Sequence, residues 1–151
     1  MSAPGAVDVL LVEDDLADVL MVEEALEAWR IPTSLHVAND GVEATAFLRR
    51  EGLYVQAPRP AFVLLDLNMP RKDGFEVLAE VKGDQDLSII PIVVFSTSSA
   101  PEHIKRSYSS HANAYVVKPA NFDDFAEVVR EIDNFYTQVV SQPVRGRHSA
   151  A

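Results

Sequence analysis

Cysteine is absent from these 151 residues. Neither a disulfide framework nor a thiolate metal centre is available, and nothing points to an exported fold. No apolar run approaches the roughly 18–20 residues a membrane helix needs. The opening MSAPGAVDVLLVEDD has neither the basic start nor the cleavage site of a secretory signal. Basic residues are scarce: 13 Lys+Arg stand against 23 Asp+Glu, a formal net charge of −10. A surface of that sign repels phosphate backbones and anionic lipid, so neither nucleic acid nor membrane is expected as a partner. Excess acid also serves solubility alone. Internal repeats and low-complexity tracts are missing too, and a cytoplasmic protein is the default expectation.

What is present suits one soluble domain. Hydrophobic residues make up 48% and charged residues 24%, enough for a buried core under an ordinary polar surface. Short apolar runs at Val7–Val12, Ala61–Leu65 and Ile90–Phe95 read as buried strands, with shorter ones at Leu35–Ala38 and Ala114–Val117. Between them lie helical patterns. Leu16, Val19, Leu20, Val22, Leu26 and Trp29 recur at three- and four-residue steps, with Asp14 or Asp15 as the N-cap. Phe122, Phe125, Val129, Ile132 and Tyr136 do the same behind Asn121, Asp123 and Asp124. Shorter patterns cover Gly41–Arg50, Gly74–Lys82 and Pro101–Tyr108; the last has a thin stripe, Ile104 and Tyr108, and is expected to be the least firmly held.

Strands alternating with helices imply parallel pairing and right-handed crossovers: an α/β, doubly wound five-stranded parallel sheet with helices on both faces. The domain is expected over residues 7–140, behind a short N-terminal extension, 1–6. Gly52–Pro60 (GLYVQAPRP) is a long connecting loop, and the small, polar, slightly basic segment 141–151 reads as a disordered tail.

In such a sheet ligands sit outside the carboxyl ends of the strands. Glu13, Asp14 and Asp15 follow the first strand, Asp66 the third, Ser96 and Thr97 end the fourth, and Lys118 follows the fifth. Clustered carboxylates need a cation or a raised pKa. An all-oxygen set favours a hard divalent ion, Mg²⁺ before Zn²⁺. A carboxylate beside such an ion and a lysine is also a plausible nucleophile toward phosphorus, forming an acyl phosphate. Each residue has a blander reading. Asp14 or Asp15 could be a helix cap, Asp66 could open a turn, Ser96 could simply end a strand, and a lone lysine is usually solvated. Their conjunction, in this order, is much harder to explain that way.

The segments LLVEDD, FVLLDLNMPRKDGFEVL, PIVVFSTS and AYVVKPAN together resemble a two-component response-regulator receiver domain, over roughly residues 7–140. The stretch ANDGVEATAFLRREG, the GLYVQAPRP loop and the short tail look like the small regulators paired with bacterial and cyanobacterial phytochrome kinases.

The resemblance implies a flavodoxin-like fold and a set of roles. Asp66 would be the phosphoacceptor. Mg²⁺ would be bound by Asp14 and Asp66 directly, by the Asn68 backbone carbonyl, and by Glu13 through water. Lys118 would contact the phosphoryl oxygens, followed by Pro119 in a cis peptide bond. Ser96 would be the switch hydroxyl and Tyr115 the aromatic whose rotamer follows it. Phosphorylation adds roughly −1.5 to −2 charge to the rim; drawing Ser96 inward would open space for Tyr115 and reshape the outer face near Ile104 and Tyr108. That face, with Phe135 and Tyr136, is the expected homodimer or partner surface. The implied partner is a sensor histidine kinase of the bacteriophytochrome type. Thr97 stands where the family more often has Ala or Gly, so crowding of the attacking water and slow self-dephosphorylation are expected. The chain would be a phosphoacceptor signalling protein rather than an enzyme, acting by contact or onward transfer, without a DNA-binding output domain.

Three other readings compete. A haloacid-dehalogenase-type phosphatase also uses an aspartyl nucleophile, but needs a second Asp two residues on as acid and base; here that residue is Asn68. A contact-only receiver would not need Asp14, Asp66, Ser96 and Lys118 together. A flavodoxin-like cofactor carrier needs a small, polar phosphate loop after the first strand, where this chain has acids.

Overall fold

A computed structural model describes residues 5–143. The expected extension and tail lie largely outside the described residues. Strands β1 (Val7–Val12), β2 (Thr33–Ala38), β3 (Phe62–Leu65), β4 (Ile92–Ser96) and β5 (Ala114–Val117) form one sheet in the order β2-β1-β3-β4-β5. Every pairing is parallel. Helices α1 (Leu16–Glu27), α2 (Gly41–Arg49), α3 (Gly74–Gly83), α4 (Pro101–Ser109) and α5 (Phe122–Asn134) are the crossovers and the closing helix.

The two faces hold separate cores. Helices α2 and α3 pack Phe47, Leu48, Val77, Leu78 and Val81 against the face bearing Leu10, Val63 and Val94. Helices α1 and α5 pack Val19, Val22, Phe125 and Val129 against Val9, Leu11, Leu64 and Phe95. The central strands β3 and β4 are buried throughout, which is why they read as unbroken apolar runs.

The helix starts follow from short polar caps. Asp15 takes the backbone N–H groups of Ala17 and Asp18, opening α1. Asp73 and Glu76 form a reciprocal capping box at α3, and Asn121 accepts from the Asp124 N–H at α5. In contrast, α4 starts at Ala100 without a side-chain cap and buries only Ser107.

One local expectation is corrected and two are refined. The buried face of α1 is Val19, Val22, Ala25 and Leu26, whereas Leu16 and Leu20 are 68% and 53% exposed. The periodic set spans more of the helix circumference than one sheet face can cover. The Gly52–Pro60 connection includes a 3₁₀ turn at Gly52–Tyr54, whose Tyr54 ring packs on Phe47 with centroids 5.5 Å apart. Beyond α5 the chain continues through a π-turn, Phe135–Val139, which seats Tyr136 against Phe62.

Candidate functional site

The parallel register brings four strand ends to one rim. The Asp66 N–H donates to Val12 O (3.0 Å), continuing the β1–β3 ladder, and the Glu13 N–H donates to Ala38 O (2.9 Å). On the far side Ser96 pairs with Val117, and the Lys118 N–H donates to Ser96 O (2.8 Å). Residues that end strands are thereby set by main-chain bonds before any side chain acts.

Glu13, Asp14 and Asp66 each turn a carboxylate oxygen into one cluster, with these atoms within 4.8 Å of one another. Glu13 is 2% exposed and Asp66 8%, while Asp14 faces solvent. Of the two N-cap candidates it is Asp15 that caps α1, and it takes no part in this cluster. A compact all-carboxylate set with one side open to water favours a hard divalent cation over zinc.

Lys118 brings a positive charge to this cluster. Its side chain is 5% exposed; Nζ donates to Glu13 Oε1 (2.6 Å) and Asp18 Oδ2 (2.7 Å) and lies 3.6 Å from Asp66 Oδ1. Burial alone would lower its pKa, but bonds to Asp18 and Glu13 and the nearby Asp66 hold it above the ordinary lysine value. Burial pushes Glu13 up to about 7, against the pull of Lys118. Asp66 is also raised, mainly by burial and partly by Asp14, with Lys118 acting the other way. The lysine is therefore ionised, and the carboxylates beside it are poised to gain from a second positive charge.

Ser96 is fully buried, and its hydroxyl accepts from the Ser98 N–H (3.1 Å). Thr97 and Asn68 are exposed. Tyr115 is half-buried; its hydroxyl donates to the Ser98 carbonyl (2.8 Å) while its N–H donates to the Tyr108 hydroxyl (3.1 Å). Ser98 Oγ also bonds His103 Nδ1 (2.7 Å).

Sequence reasoning missed Asp18. Its only signal was a further acid one turn into α1 behind the cap, and nothing in the chain tied it to a lysine 100 positions away. The implied cis bond at Pro119 is not found: the peptide bonds of the described residues are all trans. The trans form is the lower-energy isomer by about 0.5–1 kcal/mol, and ion pairs to Glu13 and Asp18 are what aim Lys118 here.

Comparison with known proteins adds an independent line. Residues 9–130 match the model of the response regulator receiver domain. Response regulator Rcp1 of Synechocystis is 44% identical over 135 residues, covering 89% of this chain and 92% of that protein. Among solved structures, the phosphorylated cyanobacterial phytochrome response regulator RcpA aligns with a TM-score of 0.87 at 43% identity, covering 91% of this chain and 99% of that one. The Mn²⁺-bound form of Rcp1 aligns at 0.84 and 43% identity, covering 90% and 98%.

Proposed function

Since the chain belongs to the response-regulator receiver family, whose members are signalling proteins, we propose that it accepts a phosphoryl group on Asp66 from a sensor histidine kinase. The observation that carries this reading is the half-closed rim itself: the Asp66 carboxylate is 8% exposed, clustered with Glu13 and Asp14, with Lys118 3.6 Å away. An Asp66 oxygen attacks phosphorus, the P–N bond of a phosphohistidine breaks, and its electron pair returns to the imidazole. The protein contributes alignment and charge neutralisation.

Receiver domains bind a divalent metal, and the Mn²⁺ form of Rcp1 is one such relative. In this chain the ion would be Mg²⁺, with Asp14, Asp66 and the Asn68 carbonyl as the residues that would hold it and Glu13 contributing through water. Such an ion would neutralise phosphoryl charge. Lys118 bonds a second phosphoryl oxygen, Ser96 turns toward the third, and Tyr115 follows.

The kinase is of the phytochrome type, an assignment supported by the relatives named RcpA and Rcp1. Output runs through protein contact or onward transfer. The outer face of α4, β5 and α5 serves as the homodimer surface: Tyr108, Val117, Phe135 and Val139 are 49%, 41%, 47% and 61% exposed there. No helix among the described residues is long and apolar enough to cross a membrane.

Intact-protein mass after incubation with acetyl phosphate and Mg²⁺ tests this. One phosphoryl adduct is expected, lost with EDTA and in Asp66→Asn. An adduct independent of Asp66, or steady release of phosphate, would overturn the reading, as would no adduct with either acetyl phosphate or a histidine kinase as donor.

A further inference from the structure

The ammonium of Lys118 has three N–H bonds, and two are committed to acids other than Asp66, one of them, Asp18, outside the rim cluster. One goes to Glu13, at 2.6 Å, and the other to Asp18, at 2.7 Å, whereas Asp66 Oδ1 at 3.6 Å lies outside hydrogen-bond range. Asp18 is not one of the clustered rim acids. It is anchored on the first turn of α1, where its backbone N–H bonds the Asp15 cap (3.4 Å) and its neighbour Val19 is buried in the core. The lysine is mobile in principle; the carboxylate facing it is carried by a rigid helix.

We propose that Asp18 holds Lys118 back from Asp66 in the resting protein and must release it before the lysine can serve an incoming phosphoryl group. The inference rests on Asp66 being the phosphoacceptor. Asp18 touches neither phosphorus nor donor and is a positioning residue. When the Asp66 oxygen attacks acetyl phosphate, the P–O bond to acetate breaks and its electron pair leaves with acetate; the new phosphoryl oxygens then compete with Asp18 for the same ammonium. Asp18 is 23% exposed on its side chain and Lys118 only 5%, so the pair is partly shielded and is not a freely screened surface contact. Release of the lysine accordingly adds to the barrier for phosphoryl uptake.

Full-length wild type, Asp18→Asn, Asp18→Glu and Asp15→Asn are compared for the rate of uptake from acetyl phosphate at fixed Mg²⁺. Asp15→Asn keeps a capping side chain while removing one charge beside the same rim. Asp18→Asn is expected to take up phosphate roughly three- to tenfold faster, Asp18→Glu to return toward wild type, and Asp15→Asn to change much less. Equal acceleration in Asp18→Asn and Asp15→Asn would reduce the effect to diffuse charge and sink the proposal, as would an unchanged or slower Asp18→Asn. A second readout uses ¹⁵N-lysine-labelled, unphosphorylated protein: the Lys118 ammonium resonance should be protected from exchange in wild type and lose that protection in Asp18→Asn. Protection unaltered by the substitution overturns the restraint. If wild type takes no phosphoryl group at all, the phosphoacceptor reading falls while the ammonium resonance still decides whether Asp18 holds the lysine.

Discussion

The Tyr115 hydroxyl donates to the carbonyl of Ser98 at 2.8 Å. The N–H of that same Ser98 donates to the Ser96 hydroxyl at 3.1 Å. Ser98 therefore stands between the buried hydroxyl and the half-buried aromatic, and its own Oγ reaches α4 through His103. Movement of Ser96 would free one end of Ser98 and unsettle the bond to Tyr115 at the other. Tyr115→Phe removes that donor. It should cost about 0.5–1.5 kcal/mol in denaturant unfolding and speed backbone hydrogen exchange across Ser98–Ile104. An exchange pattern identical to wild type would mean that Tyr115 does not restrain this loop.

Thr97 is exposed between Ser96 and Ser98. On the proposed chemistry, replacing its branched side chain with a methyl would widen the approach to the phosphoryl group, so Thr97→Ala should lose phosphate several-fold faster once the donor is removed. Decay of the phosphorylated mass peak measures this directly; an unchanged half-life would absolve Thr97 of any crowding.

Gly74 opens α3 against the backbone of Asp66, the proposed phosphoacceptor. A methyl group there would overlap the Asp66 carbonyl oxygen and sit 2.7 Å from Leu67 Cα, so main chain and not a flexible side chain would have to move. Gly74→Ala is expected to destabilise the fold by about 1–3 kcal/mol and to slow phosphoryl uptake beyond what the stability loss explains. Uptake at the wild-type rate in folded variant protein would show that Asp66 tolerates the shift.

Asp133 offers a pH test away from the rim. It is 1% exposed; Trp29 Nε1 and Thr33 Oγ1 both donate to its Oδ2 at 3.1 Å. Its Oδ1 has no hydrogen-bond partner among the described residues. Burial pushes its carboxyl above the ordinary aspartate range, partly opposed by the bonds from Thr33 and Trp29. A carboxyl raised in the folded state favours folding while protonated. That contribution is complete below the unfolded pKa and is lost as pH rises through the folded value. Ionised Asp133 is thus a cost at neutral pH. Asp133→Asn should raise Tm at pH 7, and the gain should shrink toward pH 4. Thermal melts across that range check the sign; a gain that grows on acidification would contradict it.

Much of the fold could be read from the apolar runs because a parallel sheet covered on both faces leaves little room for polar residues. Val7–Val12 and Ala114–Val117 carry the same limits in sequence and structure. At β4 the run extends further than the strand: Ile90 is buried with its carbonyl taken by Lys82 Nζ (2.8 Å), and Pro91, which has no N–H to donate, only accepts from the Val63 N–H (2.9 Å) ahead of the strand proper at Ile92. The rim acids were legible through their positions after strands. Asp18 was not, since its importance depends on where a long, flexible lysine side chain comes to rest. Leu16 and Leu20 misled in the opposite sense, sharing a period with core residues while facing outward. Pattern reports which helix positions could be buried; the width of the sheet decides which are.

The rim is assembled from distant pieces of chain, with Lys118 and Glu13 separated by 105 positions and meeting at 2.6 Å. Neither β1 nor β5 alone can gather the acids and the ammonium. A nascent or damaged molecule would hold every required side chain yet offer no place for the transfer. On the proposed function, competence to be switched would audit complete folding: incomplete copies would stay silent and would not report falsely. In a cell where a fraction of any protein is always open, the signal would count intact molecules alone.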